Sequence, residues 1–222
     1  MLSTLVAVQV FGYTIAVAGI RGGLGRELTA QALSRDMSVI GLVRQNEVTA
    51  TIRYPVRRGW LSESPEDAAE AEVIRDNRLS LRPLDMASLH YDALVLCMSG
   101  KPFDSDDSMY ASTAAICRFL PRSCKHVLLV SAHGVGDSIR QSNVGIKVMR
   151  SWYLRESYSS KEQQETLVGG LPGVKRTILR PRVLSYDHIP FNTISTRRKD
   201  LARDILERVT GENVQPTMPQ VQ

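Results

Sequence analysis

A chain of 222 residues, 43% of them apolar and 23% charged, has the composition of a single ordinary globular domain, which excludes a disordered or low-complexity polymer. The net charge of +5 suits an anionic ligand, but the basic runs Val-Arg-Arg-Gly-Trp (56–60) and Ser-Thr-Arg-Arg-Lys-Asp (195–200) are short and dispersed, which excludes a nucleic-acid surface. Three cysteines, Cys97, Cys117 and Cys124, with no Cys-x-x-Cys, argue against a disulfide framework and a cysteine zinc site, and they fit a reducing, cytoplasmic setting.

The first twenty residues carry no charge. That length raises a membrane span or a signal peptide. No Lys or Arg precedes the apolar stretch, however, and its last third belongs to a strand-and-glycine motif. Residues 1–13 therefore read as an apolar extension packed on a sheet, and no membrane partner is expected. Thr14–Gly19 is a short buried-strand run. From Leu24 to Arg35 the spacing turns helical, with Leu24, Leu28 and Ala32 on one face. Ser38–Arg44 is the next strand. A third strand is due near Arg78–Asp85, after a long connection, 45–78, whose role the sequence leaves open. Within that connection Ser64–Arg75 has a serine cap, a first-turn proline and acids at 66 and 67, which predicts a helix. Further strands are predicted within 90–100, 125–132 and 174–181, with helices over 107–120, 157–168 and 199–209, and a loose tail over 211–222. The strands are continuously apolar, as strands buried on both faces are. Strands alternating with helices of this length give an α/β fold, a doubly wound parallel sheet of the Rossmann type in a single domain spanning residues 1–222.

The first βα turn carries the chemistry. It reads Gly19-x-x-Gly22-x-x-Gly25, with Gly23 in addition and Leu24 opening the helix. A dinucleotide's pyrophosphate needs a sharp turn, bare backbone N–H groups and the positive end of a helix, and these glycines at this place supply all three. The end of the second strand selects the adenosine partner. NAD enzymes place a carboxylate there to hold the ribose 2′-hydroxyl, whereas this chain has Arg44, which suits a 2′-phosphate. Arg21 reaches the same region. NADP(H) is therefore expected over NAD(H), with Glu47 as the rival ribose ligand and a solvated strand end as the plain alternative for Arg44.

At this point the segment 14–44 resembles the opening of atypical short-chain dehydrogenases, the NmrA-like and biliverdin-reductase-B-like NAD(P)-binding proteins. Further matches follow in order over residues 14–210. By that resemblance Asp85 and Met86 lie at the adenine, Ser99 and Gly100 beside the cofactor ribose, and Ser131 at the end of the fifth strand. The segment 160–181 resembles the family's Lys-x-x-x-Glu helix and Thr-Ile-x-Arg-Pro strand. Working short-chain dehydrogenases pair a Tyr with a Lys four residues later. The Lys lowers the Tyr pKa and binds the nicotinamide ribose, and a strand-end Ser steadies the carbonyl. The resemblance thus implies Ser131, Tyr158 and Lys161 as catalytic residues, with Lys161 also on the cofactor.

The spacing departs from the family, because Tyr158 is three residues before Lys161 and Ser157 four. The two differ by about 100° around a helix and cannot occupy one site. Tyr153 and His133 are rival proton donors, and Lys161 with Glu165 also fits a surface ion pair. Arg180-Pro181-Arg182 reads as lining the nicotinamide end, where positive charge suits an acidic substrate. Two functions stay open: an NADPH-dependent reductase of a small carbonyl, conjugated or flavin- or tetrapyrrole-like acceptor, and a non-catalytic dinucleotide sensor. A sugar-nucleotide epimerase or dehydratase fits less well, since little chain remains for a substrate domain.

Overall fold

The computed structural model describes residues 12–44, 52–54, 72–73, 76–84, 89–98, 108–141, 155–185 and 195–211. In chain order these form β1 (Thr14–Ala18), α1 (Gly23–Ser34), β2 (Ser38–Val43), β3 (Arg53–Tyr54), β4 (Glu72–Val73), β5 (Leu79–Pro83), β6 (Ala93–Leu96), α2 (Ser108–Arg118) and β7 (His126–Val130). A 3₁₀ turn (Gly136–Gln141), α3 (Arg155–Gly169), β8 (Lys175–Leu179), β9 (Val183–Ser185), β10 (Ser195–Arg197) and α4 (Arg198–Thr210) complete them.

Six strands form one sheet in the order β5-β2-β1-β6-β7-β8, every neighbouring pair parallel. The order runs outward from β1 in both directions, so the chain crosses back over the middle of the sheet between β5 and β6. The ends of β1 and β6 diverge at that reversal, where doubly wound sheets open a ligand crevice. The expected Rossmann-like α/β fold is therefore the observed one.

The strand period of two divides the core. Ile15 and Val17 of β1 face one side, with Leu24 and Leu28 of α1 and Leu201 and Ile205 of α4. Ala16 and Ala18 face the other, with Ile116 of α2 and Val168 of α3. The predicted stripe Leu201, Ile205 and Val209 is buried as the helical spacing requires. Tyr13 closes the bottom of the first layer, its hydroxyl donating to the Val209 carbonyl oxygen.

The structure corrects three expectations. Glu72–Val73, inside the predicted helix 64–75, is extended and pairs antiparallel with Arg53–Tyr54. The capping signals at 64–67 are local and carry no information about that long-range pairing. β8 is also not buried on both faces: it is an edge strand, with Lys175 and Arg176 exposed. Finally β9 and β10, a parallel two-stranded pair, lie beyond the last predicted strand.

Candidate functional site

The glycine loop leaves the end of β1 and turns directly into α1. Gly19 has φ +86°, and a Cβ there would lie 2.7 Å from the Cys97 carbonyl oxygen just past β6. Gly25 is under a tighter restriction, since a Cβ would come within 2.2 Å of the Gly19 carbonyl oxygen. That same oxygen accepts from the Gly22 amide at 3.0 Å, which closes the turn. Gly22 is the N-cap of α1, and among the described residues no side chain caps the helix. The first amides of α1 therefore lie under no capping side chain, in the arrangement that fits an anionic phosphate.

The amides open on a cleft of about 390 Å³. One wall is Gly22, Gly23 and Leu24, and the floor is Cys97, Met98 and Val130. The opposite side carries Ser131, His133, Tyr158 and Lys161, then Pro181 to Leu184 and Arg198. Ser131, Tyr158 and Lys161 thus share one cleft with the glycine loop. Ser157 lines it too, so the helical offset does not keep Ser157 and Tyr158 apart.

Lys161 sits on the second turn of α3 and is only 9% exposed. Its Nζ donates to the Val130 carbonyl oxygen at 3.3 Å, at the end of β7. Burial pushes the amine down to about 8, while Cys97 and Glu165 nearby pull in the opposite direction. Glu165 does not form the surface pair with Lys161 that their spacing allows. It is buried and held bidentately by Arg180, with Nε to Oε1 at 3.0 Å and Nη2 to Oε2 at 2.7 Å. Arg180 therefore braces β8 against α3, and of the Arg-Pro-Arg run Pro181 and Arg182 line the cleft.

Tyr158 donates its hydroxyl to the His133 carbonyl oxygen at 3.0 Å. The His133 amide in turn donates to the Pro181 carbonyl oxygen at 2.8 Å, which ties the loop after β7 to the loop after β8. The His133 imidazole is held below its ordinary pKa by burial and by the Arg182 charge. The Ser131 amide bonds the Leu179 carbonyl oxygen at 2.7 Å, whereas its buried Oγ has no partner among the described residues. A buried hydroxyl without a partner is costly, and here it lies in the wall of a cleft, available to a bound oxygen. Burial also raises the Cys97 thiol to about 12, which makes it a neutral floor residue rather than a nucleophile.

Arg21 lies in the loop and Arg44, exposed, directly follows β2. Asp85, Met86, Ser99, Gly100, Glu47 and Tyr153 lie outside the described residues. Sequence reasoning missed Arg198, which belongs to the basic run dismissed as short. It opens α4 directly after β10 and reaches the cleft.

Residues 19–210 match the family model described as NAD(P)H-binding. The chain belongs to the NAD(P)H-binding family. That agrees with the resemblance read from residues 14–210. No curated protein matches the sequence. Among solved structures the chain is similar to ChuY, an anaerobillin reductase from Escherichia coli O157:H7, with a TM-score of 0.58 at 15% identity, covering 94% of this chain and 100% of that one. It is similar also to the oxidoreductase ylbE from Lactococcus lactis, with a TM-score of 0.58 at 18% identity, covering 89% and 84%. At these identities the likeness is one of fold. No helix among the described residues is long and apolar enough to cross a membrane.

Proposed function

We propose that this NAD(P)H-binding protein takes NADP(H) in the cleft and reduces a small carbonyl, conjugated or flavin- or tetrapyrrole-like acceptor. The observation that carries the reading is the convergence of the glycine loop with Ser131, Tyr158 and Lys161 on one cleft. Gly22, Gly23 and Leu24 offer amides to the pyrophosphate, and Arg21 and Arg44 hold the 2′-phosphate. Asp85, Met86, Ser99 and Gly100 extend the contact to adenine and ribose by the family resemblance. NADPH, when bound, supplies the hydride. Ser131 Oγ donates to the acceptor oxygen. The Lys161 ammonium holds the nicotinamide ribose and lowers the Tyr158 pKa. Tyr158 releases the His133 carbonyl oxygen and delivers the proton. The free thiols suit a cytoplasmic setting.

A second reading, a dinucleotide sensor without turnover, is favoured by one observation. The Tyr158 hydroxyl is engaged by backbone, three residues rather than four from Lys161. Parallel titrations with NADPH and NADH, followed by nicotinamide fluorescence, test the cofactor. NADPH is expected to bind about tenfold tighter, and Arg44→Ala to narrow the difference, with Arg21 supplying what remains. Equal affinities in the parent protein would refute the 2′-phosphate assignment. NADPH oxidation over an acceptor panel tests the chemistry, with Tyr158→Phe expected to lower turnover about a hundredfold. Tight NADPH binding with no turnover on any acceptor would establish the sensor instead.

A further inference from the structure

The chain's excess of positive charge gathers away from the cleft. Two stretches, 118–126 and 169–176, hold Arg118, Arg122, Lys125, Lys175 and Arg176 and no carboxylate. In the rest of the chain Lys and Arg equal Asp and Glu in number, so these residues carry the net charge of +5. All are exposed, and none makes an ion pair with a described residue. The fold brings both stretches to one corner, at the amino-terminal ends of β7 and β8. There the Lys175 amide donates to the Lys125 carbonyl oxygen at 2.9 Å, Lys125 Nζ to the Arg122 carbonyl oxygen at 3.1 Å, and Arg176 Nη1 to the Gly169 carbonyl oxygen at the end of α3. Leu120 and Leu171 pack on one core beneath them. Asp92, just before β6, is turned toward β1, its Oδ2 accepting the Thr14 amide at 2.8 Å. The cofactor reading explains none of this charge, because the glycine loop and the cleft lie at the opposite ends of the strands, about 16 Å away along a five-residue strand. The corner also has an apolar member. Phe119 is 37% exposed, with the Arg118 guanidinium 5.8 Å from its ring centre. Residues 1–11 carry no charge, and the chain passes from them through Gly12 and Tyr13 into β1 at this same edge of the sheet.

From this arrangement we infer that the amino-terminal edge of the sheet docks on an anionic phospholipid surface, with Arg118, Arg122, Lys125, Lys175 and Arg176 at the headgroups and Phe119 below them. Each cation gains from the negative potential of such a surface and the apolar side chain from the acyl boundary, and the two together bind where either alone is marginal. A nucleic acid fits less well, since one aromatic offers a single stacking platform and the cations form a compact corner rather than a track. Such a contact needs no membrane-spanning helix, and none occurs among the described residues. It departs from the expectation of no membrane partner, which rests on the first twenty residues alone. The cleft opens on the far side of the sheet, so docking leaves it free and is independent of the proposed function.

The test is sedimentation of the full chain with vesicles of phosphatidylcholine, alone or with added phosphatidylserine. Binding is expected to the phosphatidylserine vesicles only, and to fade at high salt. Arg122→Glu, Lys125→Glu and Lys175→Glu together should weaken it at least about a hundredfold, at roughly fivefold for each charge removed. Should that variant fail to fold, Arg122→Ala with Lys125→Ala takes its place, with a loss of about twenty-five-fold. Arg155→Glu, Lys199→Glu and Arg203→Glu together have the same net charge as the first variant but change exposed residues in the first turns of α3 and α4, and should leave most of the binding in place. Phe119→Ala should weaken binding about tenfold while the salt dependence stays. No binding to phosphatidylserine vesicles, equal binding to both kinds of vesicle, or an equal loss in the two charge-matched variants would overturn the inference. Retention of an oligothymidylate in place of the vesicles would overturn it in favour of a nucleic acid. None of these results bears on NADP(H) binding in the cleft.

Discussion

Replacing Lys161 by methionine is expected to stabilise the fold while it removes the ammonium from the cleft. The amine is 9% exposed, and burial lowers it from 10.5 to about 8. Each tenfold of proton affinity is about 1.4 kcal/mol, so keeping the amine charged in the fold costs about 3 kcal/mol at pH 7. Methionine has similar length and no charge to desolvate. It forfeits the bond to the Val130 carbonyl oxygen, which at 3.3 Å contributes about 1 kcal/mol or less. The net gain is about 2 kcal/mol, or roughly 4–8 °C in Tm for a chain of this size.

The pH dependence identifies the cause. The unfolded amine titrates near 10.5 and the folded one near 8, so between those values the unfolded chain holds more protons. The parent's own burial penalty therefore fades as pH rises from 8 to 10.5, and the gap between the two proteins should close over that window. Calorimetry of both proteins at pH 7, 8.5 and 10 measures it. A methionine variant no more stable than the parent at pH 7, or a gap that stays constant with pH, would refute the reasoning.

Two further outcomes follow from the same geometry. Gly25→Ala places a Cβ 2.2 Å from the Gly19 carbonyl oxygen and should cost more than about 3 kcal/mol, whereas Gly169→Ala, with nothing within 4 Å, should be neutral or stabilising; equal urea midpoints for the two would count against the packing role of Gly25. His126 is buried, its Nε2 sits 2.8 Å from Thr177 Oγ1, and burial pushes its pKa down to about 4. Between pH 6.5 and 4 the unfolded chain holds the extra proton, so stability should fall by up to about 3 kcal/mol as pH drops through that window. A His126→Gln variant should show a flatter profile of urea midpoint against pH, and an unchanged slope would remove His126 as the source.

What could be read from the sequence divides along the range of the interactions involved. The inner strands are short apolar runs between turn residues, and the glycine spacing sits where β1 feeds α1. Both are local signals, and the fold, α1 and the cradle were legible from them. Glu72–Val73 was misread as helix because its cap and charge pattern extend over one turn, while its partner Arg53–Tyr54 lies about twenty residues back. β9 and β10 are three residues each and pair across a separate segment, below any periodicity. A four-residue spacing allows Glu165 to pair with Lys161 but cannot reveal that Arg180, just past β8, holds the same carboxylate. Nor does spacing tell that Lys161 turns inward to the Val130 carbonyl oxygen, where burial lowers its pKa. Arg198 was missed since a basic run looks the same whether it faces solvent or a cleft.

The reversal of strand order between β5 and β6 divides the labour of the proposed site along the chain. The phosphate cradle, Gly19 to Gly25, and Arg44, proposed to select the dinucleotide, are encoded before the crossover. Almost everything assigned to moving the proton and holding the acceptor, from Ser131 to Arg182, is encoded after it, and the two halves meet at the β1–β6 seam. On the proposed function, coenzyme choice and acceptor choice are therefore separable. On that reading a change at Arg44 leaves Ser131, Tyr158 and Lys161 in place. A two-handed architecture of this kind lets one small fold serve many redox partners.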